Sequence, residues 1–160
     1  MNSSVPVNSQ VDVFSADIAE AVVGALEALP SEYWYHRLKI NSIPTTGTSE
    51  ADYWFLGHNQ MPSNLRKALF SLGPKLPKAI LEEVCVNKYE VGFGMPEHID
   101  LAQYQYNMVV TLCDNGDGVC IEDIFHKDSP GKGIIFSRKS VRHSVPAVKH
   151  KRYVIIFLYA

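Results

Sequence analysis

The sequence predicts a mainly β domain with flanking helices, a sandwich or jelly roll. Two observations predict it. From residue 84 onward, short β-rich runs alternate with turn signals and no helical stretch separates them. Before residue 84, helical periodicity comes in short pieces, each closed by proline or glycine. A parallel sheet would need a crossover helix between successive strands, and the second half offers none.

Taken in order, residues 1–10 are polar and read as a flexible tail. This leaves residues 11–160 as one domain, with helical and strand support over 11–83 and a β core over 84–160. Ser15 is placed to cap a helix reaching about Leu29, with Ile18, Val22, Leu26 and Leu29 on one face. Pro30 stops it. Residues 33–38 and 52–56 are aromatic-rich and read as strands around a Thr/Gly/Ser loop. Ser63 is expected to cap a second helix carrying Leu65, Ala68, Leu69 and Leu72, broken by Gly73-Pro74. A third helix is expected over about 77–83. Strands follow over 83–91, 95–100, 106–113, 119–125, 133–136, 141–145 and 153–159. Asn115-Gly116 is the strongest hairpin signal in the chain.

Composition narrows the function classes. The 160 residues are 46% hydrophobic and 20% charged, which is ordinary for one globular domain. No apolar run approaches the roughly 20 residues that a membrane span needs, and the N-terminus lacks the basic start and apolar core of a signal peptide. Cys85, Cys113 and Cys120 are odd in number and form no Cys-x-x-Cys pair, which favours reduced thiols over a disulfide framework or zinc knuckle. The expectation is a cytoplasmic protein with no membrane partner. Charge is unevenly spread. Residues 1–125 hold 7 Lys/Arg against 16 Asp/Glu, whereas residues 126–160 hold 8 against Asp128 alone. The basic third either attracts an anionic ligand or pairs with the acidic strands.

The chemistry concentrates in His98-Ile99-Asp100, His143 and Arg152. Residues i and i+2 of a strand face the same way, so His98 and Asp100 can grip one cation while Ile99 turns aside. A third ligand must come from another strand, and His143 lies on a predicted one. Two histidines and one carboxylate make a facial triad with open coordination positions, the pattern of non-heme Fe(II) sites. Zinc takes similar ligands, but a structural zinc site wants a fourth. Arg152 stands at the head of an apolar closing strand, and an arginine there needs a partner. Its guanidinium forks onto a carboxylate, so a small dicarboxylate could bind the metal at one end and Arg152 at the other. A surface arginine at a strand start is the plainer alternative.

These residues resemble the 2-oxoglutarate/Fe(II)-dependent oxygenases, which are built on a double-stranded β-helix, a cupin-like jelly roll. The resemblance covers about residues 84–160. It rests on Asn87-Lys88-Tyr89-Glu90-Val91-Gly92, on His98-x-Asp100, on Gly116-Asp117-Gly118 with the strand after it, and on a closing segment. That segment is Gly131-Lys132-Gly133-Ile134-Ile135-Phe136, His143-Ser144-Val145-Pro146-Ala147-Val148 and Arg152-Tyr153. The resemblance implies that His98, Asp100 and His143 hold Fe(II), with no catalytic residue beyond the metal centre. It implies that Arg152 binds the distal carboxylate of 2-oxoglutarate, that Tyr89 hydrogen-bonds this cosubstrate with help from Asn87, and that O2 takes the remaining position. The prolyl-hydroxylase-like branch fits best. The nucleic-acid demethylase branch would place a second arginine where Leu158 stands, and the oxidase-like branch a serine where Val154 stands.

The implied reaction hydroxylates an unactivated C–H of a small molecule such as an amino acid, or of a protein residue such as proline, and releases succinate and CO2. A nucleobase substrate and a non-catalytic metal-binding jelly roll are the alternatives. The partner is therefore a small molecule or peptide, with nucleic acid as the alternative. Tyr104, Tyr106, Arg138 and Arg142 are candidates to meet the substrate. Trp34, Tyr35, Trp54 and Phe55 either line the pocket or pack on the helices.

Overall fold

The computed structural model describes residues 4–101 and 103–160. Helix α1 spans Ala16–Ala28, and the Ser15 side chain accepts a hydrogen bond from the Ile18 amide at 3.3 Å. Ala19, Val22 and Leu26 form its buried stripe, at the three- and four-residue spacing of one helix face. Helix α2 spans Ser63–Leu72, but Pro62 is its cap residue and no side chain caps it, so Ser63 is its first helical residue. The third helix expected over 77–83 does not form. Leu76 and Ala79 close a tight turn with Lys78 at φ 57°, and a strand begins at Leu81. Residues from 81 onward pair instead with strands distant in sequence.

The strands are β1 (Gln10–Asp12), β2 (Tyr35–Lys39), β3 (Ile43–Pro44), β4 (Glu50–Leu56), β5 (Leu81–Tyr89), β6 (Met95–Ile99), β7 (Tyr106–Thr111), β8 (Gly118–Ile121), β9 (Ile124–Lys127), β10 (Lys132–Ser137), β11 (His143–Val145) and β12 (Arg152–Tyr159). Seven make one sheet in the order β1-β10-β7-β12-β5-β4-β2, and five make a second in the order β3-β6-β11-β8-β9. The pairings within them are antiparallel. This is the double-stranded β-helix, with the last strand, β12, at the centre of the larger sheet.

Two turns differ from expectation. The strand expected over 119–125 is a hairpin. Glu122 and Asp123, at φ 49° and 67°, make the two-residue turn between β8 and β9, and positive φ at both positions matches strand twist. Asn115-Gly116 instead links β7 of one sheet to β8 of the other. The tail expected over 1–10 is pinned near its end, where the Asn8 amide bonds the Ile135 carbonyl at 2.6 Å and β1 pairs with β10. Residues 1–3 lie outside the described residues.

The period of two decides what each strand gives to which side. On β12, Tyr153, Ile155, Phe157 and Tyr159 pack with α1 and α2 in the outer core. Val154 and Ile156 join the inner layer between the sheets. Phe157 is fully buried, and its truncation to alanine would cost about 3–5 kcal/mol. Arg152 shares the inner face. No helix among the described residues is long and apolar enough to cross a membrane.

Candidate metal centre and its cavity

The smaller sheet brings the two histidines together. His98 on β6 and His143 on β11 are direct cross-strand partners, with ring centroids 4.1 Å apart. Asp100 follows one residue after β6, on the face shared with His98. One ligand atom from each of the three lies within 4.8 Å of the others.

The tautomers follow from the backbone. His98 Nδ1 lies 2.7 Å from the Pro96 carbonyl and His143 Nδ1 lies 3.1 Å from the Val141 carbonyl. A carbonyl only accepts, so each Nδ1 carries the hydrogen and each Nε2 presents a lone pair. Those Nε2 atoms sit 3.5 and 3.4 Å from the Asp100 carboxylate oxygens. Three acceptors thus converge on one point, an arrangement that a cation satisfies. Two imidazoles and one carboxylate suit a divalent transition metal and leave coordination positions free.

A second layer holds Asp100 in place. Asn107 Nδ2 donates to Asp100 Oδ2 at 2.6 Å, and Arg138 Nη1 donates to Asn107 Oδ1 at 2.7 Å. Ser42 Oγ donates to Asp100 Oδ1 at 3.4 Å.

The three ligands open onto a cavity of about 310 Å³ between the sheets, within the size range of small-molecule sites. Its other wall comes from paired inward positions of the larger sheet. Tyr89 lies opposite Arg152, Asn87 opposite Val154, Cys85 opposite Ile156 and Glu83 opposite Leu158. Burial pushes the Tyr89 phenol up to about 12 against the pull of Arg152 and of the Asn87 bond, so it remains a neutral hydroxyl. Asn87 Nδ2 donates to that hydroxyl at 3.4 Å, while Asn87 Oδ1 is buried without a partner. Such an orphan costs about 1–3 kcal/mol. Exchanging the two ends of the amide turns its NH2 toward the same space. Either way this end of the cavity holds unmet hydrogen-bonding capacity.

Arg152 is only 1% exposed and is already paired. Its Nε donates to Asp128 Oδ2 at 2.6 Å and its Nη2 to Asp128 Oδ1 at 2.9 Å. Burial works against the guanidinium charge, but the Asp128 bonds more than restore it and raise the Arg152 pKa. Burial pushes the Asp128 carboxyl up, and Arg152 offsets this only in part. The Nε/Nη2 edge is spent on Asp128, while Nη1 forms no protein hydrogen bond among the described residues. Sequence reasoning gave Arg152 no internal partner. The available signal was that Asp128 is the only acid after residue 125.

The remaining candidates separate. Tyr104, Phe55 and Arg138 line the cavity. Tyr106, Trp34 and Trp54 belong to the outer core. Arg142 pairs with Glu122 at 2.9 Å, Asp123 at 3.3 Å and Glu97 at 3.6 Å, away from the cavity. Tyr35 is 66% exposed. His36, His58, His126 and His150 do not line the cavity. Arg37, which does, carried no signal in the sequence.

The chain matches no protein-family model and no curated protein. It is similar to solved structures. A Pseudomonas putida prolyl-4-hydroxylase aligns over 94% of this chain and 90% of its own, with 16% identity and a TM-score of 0.63. A Burkholderia pseudomallei oxidoreductase of the 2OG-Fe(II) oxygenase family aligns over 92% of this chain and 81% of its own, with 14% identity and a TM-score of 0.62. SnoN, a non-heme alpha ketoglutarate dependent epimerase from nogalamycin biosynthesis, aligns over 96% and 78%, with 14% identity and a TM-score of 0.63. These likenesses establish the double-stranded β-helix. Their names span a hydroxylase and an epimerase, so the shared fold does not select a reaction.

Proposed function

We propose that the chain is an Fe(II)- and 2-oxoglutarate-dependent dioxygenase. It would hydroxylate an unactivated C–H of a small molecule or a peptide residue. The observation that carries this reading is the convergence of His98, Asp100 and His143, with Nε2 lone pairs and a carboxylate facing one point beside a cavity. The balance is R–H, 2-oxoglutarate and O2 in, and R–OH, succinate and CO2 out.

Bound Fe(II) would supply the redox chemistry that couples loss of CO2 from 2-oxoglutarate to oxygen insertion into C–H. The chain's own residues place and shield the reactants. His98, Asp100 and His143 would hold the metal, with the carbonyls of Pro96 and Val141 fixing both imidazole tautomers. Arg152 would present its remaining Nη1 to the distal carboxylate of 2-oxoglutarate, and the Tyr89 hydroxyl and Asn87 amide would add neutral hydrogen bonds. Val154, Val119 and Phe136 line the same cavity and exclude water from it.

One observation favours a second reading, a jelly roll that keeps a metal without turnover. Asp128 already neutralises Arg152. One experiment separates the two. Anaerobic Fe(II) plus 2-oxoglutarate gives a visible metal-to-ligand band if the cosubstrate chelates the metal, and aerobic incubation then gives succinate. We expect both in the wild type, neither in His98→Ala, and weaker 2-oxoglutarate affinity in Arg152→Met. A protein that binds Fe(II) but shows no band at saturating 2-oxoglutarate would establish the second reading.

A further inference from the structure

We infer that Arg37 is a specificity-determining residue and that the substrate is a small organic acid whose free carboxylate it binds. This rests on the proposed oxygenase reading and names its substrate class.

The cavity contains three arginines, and two are committed. Arg152 is paired with Asp128. Arg138 donates to Asn107 and to the Leu101 carbonyl, and lies 3.9 Å from Asp100. Arg37 pairs with no carboxylate among the described residues. It is the one position of β2 that is not exposed, on a strand whose other four residues are. It turns inward because β2 pairs with β4 with Arg37 opposite Tyr53, another cavity residue.

The guanidinium is held rather than free. Its central carbon lies 3.9 Å from the centroid of the Phe55 ring, and Nη1 donates to the Tyr53 hydroxyl at 3.5 Å. The Phe55 ring against its central carbon and the Tyr53 bond together restrict where the guanidinium can swing. The edge that remains matches two oxygens of one planar anion. A charged group with no counter-ion, oriented by an aromatic ring on the wall of a cavity, has the construction of a carboxylate clamp.

Position and size narrow the ligand. Arg152 and Asp128 occupy the deeply buried end, opposite Tyr89. Arg37 stands on β2, the edge strand of the larger sheet and three places from β12, so its charge enters from a different and more exposed side than the Arg152 pair. About 310 Å³ must also admit a five-carbon diacid, which leaves room for a small substrate. A residue within a peptide has no free α-carboxylate for Arg37, so this clamp favours free acids, amino acids among them, over peptidyl targets. Phosphate shares the anion chemistry, and the experiment separates the two sources.

The test uses the Fe(II)-loaded enzyme with 2-oxoglutarate and O2. Mass spectrometry scores oxygen gain for the free L-amino acids, their carboxamides and nucleoside monophosphates. Succinate released without added substrate is measured alongside. We expect oxygenated free acids and unmodified amides. Arg37→Gln should raise KM for the acid by about 10- to 100-fold, the loss of one charged hydrogen-bonded contact, with kcat little changed. Arg37→Lys should recover part of it. Substrate-free succinate release from the wild type reports separately on the 2-oxoglutarate reaction itself. Absence of succinate from the wild type would refute the oxygenase reading itself. With succinate present, three results overturn the Arg37 inference alone: acid and amide reacting alike, no free acid oxygenated, or nucleotides oxygenated in their place.

Discussion

Replacing Asp128 with alanine removes the only carboxylate, among the described residues, bonded to a guanidinium that is itself 1% exposed. The two bonds, at 2.6 and 2.9 Å, leave no slack for water to substitute without rearrangement. Arginine cannot shed its proton, so the charge stays and is unpaired. Breaking a buried pair from one side costs about 3–5 kcal/mol. For a domain of this length that corresponds to a fall in Tm of about 6–20 °C. The reverse change, Arg152→Met, should cost less, because burial already pushes the Asp128 carboxyl up and a carboxyl relieved of its partner can take a proton. The double variant Asp128→Ala/Arg152→Met removes both charges and should cost clearly less than the sum of the two single changes. Urea unfolding of the four proteins at pH 7, analysed as a double-mutant cycle, measures this. Additive single effects, or a cost below about 1 kcal/mol for Asp128→Ala, would refute the claim that the two form a buried pair.

Two further outcomes follow from the structure. Burial pushes the Cys85 thiol up to about 12 and the Tyr89 phenol to about 12. In the unfolded chain they ionise near 8.5 and 10. Both folded values are raised, so their stabilising contribution is whole below those unfolded values and is lost as pH rises toward 12. Urea midpoints should hold to about pH 8 and then fall, and Cys85→Ala should flatten the first part of that decline; an unchanged slope in Cys85→Ala would count against the assignment. Asn107 bridges Arg138 to Asp100 through two bonds of 2.7 and 2.6 Å, beside a longer direct approach of 3.9 Å. Asn107→Leu should weaken Co(II) binding by about 10- to 100-fold in calorimetric titration, and unchanged affinity would remove Asn107 from the support of the site.

The candidate metal-holding triad was legible because it follows a local rule. A period of two puts His98 and Asp100 on one face whatever the rest of the chain does, and His143 needed only a neighbouring strand. Helix α1 was legible for a similar reason, since the Ser15 cap and the Val22/Leu26 spacing are local. The stretch at 77–83 misled because its apolar residues fit a helix, whereas Leu81–Tyr89 is held by β12 and β4 on either side, contacts that lie far off in sequence. The Arg152 partner was hidden for the same reason: Asp128 sits after β9, on a loop whose path depends on the whole sheet. Arg37 was illegible because β2 reads as an ordinary exposed strand, and only the register with β4 turns that one side chain inward.

The place of β12 also dictates when the protein can fold. It follows the other described strands in the chain and is the middle strand of its sheet, flanked by β7 and β5. Until a ribosome releases residues 152–159, β5 and β7 each have an unpaired edge and the outer core lacks Ile155 and Phe157. The larger sheet therefore cannot close before β12 has left the ribosome. During that interval the nascent chain exposes two open strand edges, the kind of surface that chaperones cover and that pairs with other chains.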